Sequence, residues 1–295
     1  MKTRPASRTA VLVCQGRAAA DGLVAPGRFH DAMAIALLHD DERVPVDRVR
    51  GGGPPQGWAQ RAEFEMLRAT AEVMVARTIV IDAAVRSRLS PQLVILGAGL
   101  DDRAWRMSEL AEVDVFEIDH PASQQDKHDR VGDLSPCARS LRFVPVDFSG
   151  DRLEDALVPA GHHRAVPTTW VWEGVVPYLT RAQVAATVAA VDRCSAPGSR
   201  LIINYQSPSL PAAVGRMAAR AMTTFVRQPN VWAAEPRRSS WTAAAMRTLL
   251  TNHCFPVADD SDLLTVAARL SIPVKQRRSL QSGESRSPTA RIDAA

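Results

Sequence analysis

The sequence predicts an α/β fold: an open, mostly parallel sheet with helices on both faces, preceded by a helical cap. Three observations carry that expectation. Short, almost unbroken apolar runs recur beyond residue 90, as in strands buried on both faces. They are separated by connections long enough for helical crossovers between parallel neighbours. The first run, Leu93–Leu96, ends in Gly97-Ala98-Gly99 and is followed at once by a helix-compatible segment. A strand, a glycine turn and a helix N-terminus in that order let the backbone approach a ligand closely.

Residues 1–90 read as the cap. Phe29, Met33 and Leu37 recur at helical steps after the turn Ala25-Pro26-Gly27. Residues 43–57 contain three consecutive glycines and three prolines and are expected to form a loop. From Trp58 to Leu89, Phe64, Leu67, Ala71, Met74, Val75, Ile79 and Ala83 form the stripe of an amphipathic helix, with a break expected near Arg77-Thr78. Residues 91–295 form the core. After the first strand, further strands are expected at 113–119, 141–148, 168–174 and 200–206, with a helix over 181–194. Residues 207–250 interrupt the rhythm with four prolines and two tryptophans, Trp232 and Trp241, and read as a lid insertion. A helix over 242–250, a strand near 254–258, a helix over 262–272 and a final antiparallel edge strand in the tail complete seven strands.

Composition narrows the function. The 295 residues, 46% hydrophobic and 23% charged, suit one large or two modest domains. The net charge of +4 is dispersed; its densest clusters, Arg237-Arg238 and Lys275/Arg277/Arg278, are short and lack interleaved aromatics, so no nucleic-acid partner is expected. Cys14, Cys137, Cys194 and Cys254 stand far apart, without the spacing of a metal site or a disulfide framework. No apolar run approaches the roughly 20 residues of a membrane span. A cytoplasmic protein with no membrane partner and no metal is expected.

Ligands of open α/β sheets bind beyond the carboxyl ends of the strands. Those ends carry Gly97 and Gly99, Asp119, Asp147-Phe148 and Glu173. The loop lacks the third glycine of a dinucleotide site and has Asp101-Asp102 instead, which disfavours a pyrophosphate and a nicotinamide dehydrogenase. A ligand without phosphates, S-adenosyl-L-methionine, suits it better. Asp119 can accept both ribose hydroxyls, though it also suits the N-cap of the next helix. Asp147 can accept from an adenine amino group while Phe148 lies on the purine face. Glu173 needs a cation, either a ligand ammonium or an arginine.

GAGLDDRAWR, FEIDHP, VPVDF and WEGVVPYLT, with SRTAVLV, FHDAMA and ARTIVID before them, resemble the leucine carboxyl methyltransferase-like branch of class I S-adenosylmethionine-dependent methyltransferases, which includes many bacterial O-methyltransferases. The resemblance implies a Rossmann-like core with S-adenosyl-L-methionine as cofactor. It implies that Arg77 pairs with the cofactor's carboxylate and Gly97 approaches its methionine portion. Asp119 would hold the ribose, Asp147 with Phe148 the adenine, and Glu173 the ammonium. Tyr178 would border the methyl-transfer region. Asp102 departs from the family's usual Thr, and His120 occupies a variable position with no assigned role.

The expected activity is O-methylation of a carboxylate or hydroxyl on a small-molecule acceptor. A protein carboxyl terminus and a non-catalytic cofactor-binding role are the alternatives. A carboxylate acceptor needs no base, whereas a hydroxyl would. His30, Tyr178, His162 and His163 are the available groups, and none is assigned as base. The cap and the 207–250 insertion, with Trp232 and Trp241 as candidate walls, are expected to set acceptor specificity. The oligomeric state is left open.

Overall fold

The computed structural model describes residues 7–148, 150–208, 237–272 and 274, together with the backbone of 289–293. The cap consists of α1 (Arg8–Ala20), α2 (Ala32–Ala36), α3 (Asp40–Arg50) and α4 (Trp58–Ser87). Ser7 and Asp31 cap α1 and α2, accepting from the N–H groups of Ala10 and Ala34.

Two expectations for the cap need correction. Residues 40–50 are helical, so the loop begins only at Gly51. Pro45 removes one backbone bond, but three acids in the first turn and a Glu42 carboxylate accepting from His39 N at 2.9 Å stabilise the start. Helix α4 runs unbroken for 30 residues. Thr78 and Arg77 cost little propensity there, and the buried face Leu67, Ala71, Val75, Ile81 and Val85 holds the helix straight through them.

The core continues with β1 (Gln92–Leu96), α5 (Arg103–Arg106), β2 (Asp114–Asp119), α6 (Pro121–Val131) and β3 (Ser140–Pro145). It then runs through α7 (Leu153–Leu157), β4 (Thr168–Trp172), α8 (Arg181–Arg193), β5 (Arg200–Asn204), α9 (Ala243–Thr251), β6 (Val257–Ser261), α10 (Leu263–Arg269) and β7 (Thr289–Asp293). Among the described residues the sheet order is β3-β2-β1-β4-β5-β7-β6, parallel through β5, with β7 antiparallel to both β5 and β6. The tail strand is therefore interior, not the edge; the edge is β6, whose Asp259 and Asp260 tolerate solvent.

Alternation along the strands feeds two cores. Leu93 and Ile95 face α1 and α4, while Val94 and Leu96 join Trp170, Trp172 and α8 on the other face. Of the expected insertion, residues 209–236, including Trp232, lie outside the described residues. Trp241 is buried in the second core with Met246 and Leu250 and does not line the site cavity.

The chain leaves β1 toward β2 and β3, then crosses back to β4 and β5. The neighbouring carboxyl ends of β1 and β4 thus form a topological switch point, where a crevice opens.

Candidate functional site

That crevice is a cavity of about 440 Å³. Every residue singled out at the strand ends lines it: Gly97 and Gly99 after β1, Asp119 at the end of β2, Asp147 and Phe148 after β3, and Glu173 after β4. Arg77, in the middle of α4, and Tyr178, in a short 3-10 turn, line it as well. The sequence order of acids is thereby converted into one shared wall.

The glycine loop is tied to β2. Gly97 N and Ala98 N both donate to Ile118 O, at 2.7 and 3.0 Å. Gly97 takes φ +67°, and a Cβ there would stand 2.2 Å from Val175 Cγ2. Backbone conformation and the close approach of Val175 both require glycine.

Asp119 is oriented by backbone amides. Its Oδ2 accepts from Gly99 N and its Oδ1 from His120 N, both at 2.6 Å. Burial raises its carboxyl above the ordinary range, against the opposing pull of those two amides. Asp119 does not cap α6; His120 does, its Nδ1 accepting from Ala122 N at 3.2 Å with Pro121 in the first turn.

Glu173 meets two arginines. Its Oε2 accepts from Arg103 at 2.8 Å, and its Oε1 lies 2.5 Å from Arg77 Nε. Burial alone would raise the carboxyl, but the Arg77 and Arg103 guanidiniums prevail and hold it at about 2. Glu173 is thus an ion-paired carboxylate before any ligand arrives. Arg77 Nε is buried and off the hydrogen-bond axis of its partner. The two side chains present adjacent opposite charges to the cavity, a match for a zwitterionic end of a ligand.

The acidic loop does not carry free negative charge. Asp102 is fully buried and accepts from Arg17 at 3.0 Å and Arg106 at 2.7 Å, while Asp101 pairs with Arg103. Its carboxylates are neutralised, which corrects the expectation that this loop repels a pyrophosphate. The Asp102–Arg106 spacing of four within a helical turn was visible in sequence. Arg17 and Arg103, whose partners lie on other elements, were missed.

The three histidines considered as bases lie away from the site. His162 is buried against Phe116 and Trp170 near the amino end of β4, its Nε2 3.1 Å from Thr168 Oγ1, and burial pushes its imidazole down to about 4. His163 is exposed, and its N–H donates to Gln92 at the start of β1, the opposite end of the sheet. His30 is exposed and 2.9 Å from Asp21, beside a different hollow. Of the four groups considered, only Tyr178 lines the cavity. Among the described residues there is no metal-binding cluster of His, Cys, Asp or Glu, and no helix long and apolar enough to cross a membrane.

Comparison with known proteins agrees with this geometry. The family model described as leucine carboxyl methyltransferase matches residues 10–192. A Streptomyces coelicolor protein named "putative S-adenosyl-L-methionine-dependent methyltransferase" is 34% identical, over 68% of this chain and 68% of its own length. A Mycobacteroides abscessus protein of the same name is 34% identical over 74% of this chain and 76% of its own. Among solved structures, a possible exported protein from Bordetella parapertussis covers 98% of this chain and 97% of its own, with TM-score 0.50 and 16% identity, a likeness of fold alone.

Proposed function

The chain belongs to the leucine carboxyl methyltransferase family and is an S-adenosyl-L-methionine-dependent methyltransferase, and from that premise we propose that it is an O-methyltransferase acting on a carboxylate or hydroxyl of a small-molecule acceptor. The residues present fit the cofactor. Asp119, held by two amides at the cavity wall, suits a pair of ribose hydroxyls. The Arg77–Glu173 ion pair, which lines the cavity, suits an amino-acid zwitterion. Asp147 and Phe148 take the adenine, and Gly97 lets the methionine portion approach. The bound cofactor supplies an electrophilic methyl group on a sulfonium, with its own leaving group. The chain's part is to align the acceptor oxygen with that carbon and to exclude water.

The observation that carries the reading of the acceptor is the wall away from the strand ends. It holds Tyr178, Leu179, Gln183 and Arg238, beside Ser7 and Thr9 of the cap. The cavity's histidine, His120, and its carboxylates, Asp101, Asp119, Asp147 and Glu173, stand at the strand ends and not among those six residues. A cation without an acid favours an oxygen that is already charged, and disfavours a protonated amine. In this reading residues 1–90 act as the acceptor-side cap of a core spanning 91–295. A cytoplasmic setting belongs to the same reading and is supported by the four free thiols.

Turnover with methyl-labelled cofactor against small carboxylic acids and phenols tests it. Labelled product is expected, and alkali distinguishes the chemistry: methyl esters release methanol and aryl ethers do not. Label found only on amines, or only on protein carboxyl termini, refutes the proposal. Cofactor binding with no turnover on any acceptor favours a binding protein.

A further inference from the structure

We propose that Arg103, which does not line the cavity, is a positioning residue for the amino-acid end of the cofactor; the inference rests on the orientation proposed above, with Arg77 and Glu173 at that end. Arg103 is 1% exposed and bridges three carboxylates from three elements. Its Nε donates to Asp82 Oδ1 of α4 at 2.8 Å, one terminal nitrogen to Asp101 of the glycine loop, and the other to Glu173 Oε2 at 2.8 Å. Its own backbone N–H donates to Asp101 Oδ1 at 2.9 Å, which fixes the start of α5 against the loop.

The consequence for the cavity follows from which oxygen is used. With Oε2 taken by Arg103, Glu173 turns Oε1 to Arg77. Arg103 therefore shares with Arg77 in keeping Glu173 ionised, and by holding Oε2 it fixes the carboxylate that the Arg77 guanidinium meets, without contact to the ligand. The planar fork is what allows one cation to span three carboxylates; a lysine ammonium has the charge but not the reach in three fixed directions. Without that fork, burial works against the Glu173 charge with one counter-ion fewer.

Two ligands separate this role from a merely structural one. S-Adenosylhomocysteine carries the amino-acid end, and 5′-methylthioadenosine has the nucleoside without it. In Arg103→Lys, calorimetry should show S-adenosylhomocysteine affinity reduced about 2- to 30-fold, the range for residues that act through a network, with methylthioadenosine affinity unchanged. The S-adenosylhomocysteine affinity of the variant should also fall on acidification, as Glu173 takes up a proton, with a steeper dependence than the wild type shows. Affinity for both ligands falling together, or for neither, overturns the proposal. Should Arg103→Lys fail to fold, Asp82→Asn weakens the α4 anchor that Arg103 shares with Arg106, at a residue outside this cavity, and the same split is required of it. Arg77→Ala is the reference: if it too fails to distinguish the two ligands, the proposed orientation falls; if it distinguishes them and Arg103→Lys does not, only the role of Arg103 falls.

Discussion

Replacing Asp119 by alanine probes the wall on which the adenosine end depends. The carboxylate is held by Gly99 N and His120 N at 2.6 Å each, so it is oriented before a ligand arrives. A hydroxyl bonded to an ionised group contributes about 1.5–3 kcal/mol, so loss of the ribose contacts should weaken S-adenosylhomocysteine roughly 10- to 150-fold. The variant also strands two amide donors, Gly99 N in the glycine loop and His120 N at the start of α6, which adds to the loss. Asp119→Asn should not rescue: its NH₂ must face one of those two N–H groups. Calorimetry on protein with a wild-type melting profile reads the effect. Because burial raises the Asp119 carboxyl, wild-type affinity should also begin to fall on acidification above the usual aspartate range. Unchanged affinity in a folded Asp119→Ala would remove this residue from the site.

Three further outcomes are expected. Gly97→Ala, at φ +67° and against Val175 Cγ2, should lower the melting temperature and abolish tight cofactor binding, and adding Val175→Ala should restore part of the stability; a Gly97→Ala protein that binds normally refutes the close-approach reading. Asp102→Thr removes one of the buried carboxylates paired with Arg17 and Arg106, which keep Asp31 and Asp82 within reach, and should cost about 1–3 kcal/mol in chemical denaturation, whereas a change near zero would show that those remaining carboxylates compensate fully. Glu117 is raised to about 7 by burial, which outweighs Lys127. The folded state therefore holds its proton more tightly than the unfolded one, and this contribution is complete below the ordinary glutamate range and lost as pH rises through about 7. Glu117→Gln should flatten that fall in unfolding free energy, and an identical slope in the variant refutes it.

Much of the fold was legible because the strands are local signals. Runs such as Leu93–Leu96 and Thr168–Trp172 are buried on both faces and read as strands from composition alone. The acids at their ends became a site because the order β3-β2-β1-β4-β5 brings those ends together, a property of α/β topology rather than of any one residue. Helix 40–50 was hidden because Pro45 reads as a breaker, while the compensating acids and the Glu42–His39 bond are local details of small weight. The tail strand was placed at the edge because no sequence rule says that β7 enters between β5 and β6. The ion network was the largest omission. Arg17 meets Asp102 across 85 positions and Arg103 meets Glu173 across 70, and such pairings exist only after folding.

The central claim is that the acids ending neighbouring strands and the Arg77–Glu173 pair hold one cofactor between them. A crystal structure with S-adenosylhomocysteine tests it most directly. The ligand is expected in the 440 Å³ cavity, with its ribose on Asp119, its adenine beside Asp147 and Phe148, and its amino-acid end at Arg77 and Glu173. Ligand bound in that cavity in the reverse sense, or bound elsewhere with Asp119 facing bulk water, would contradict it.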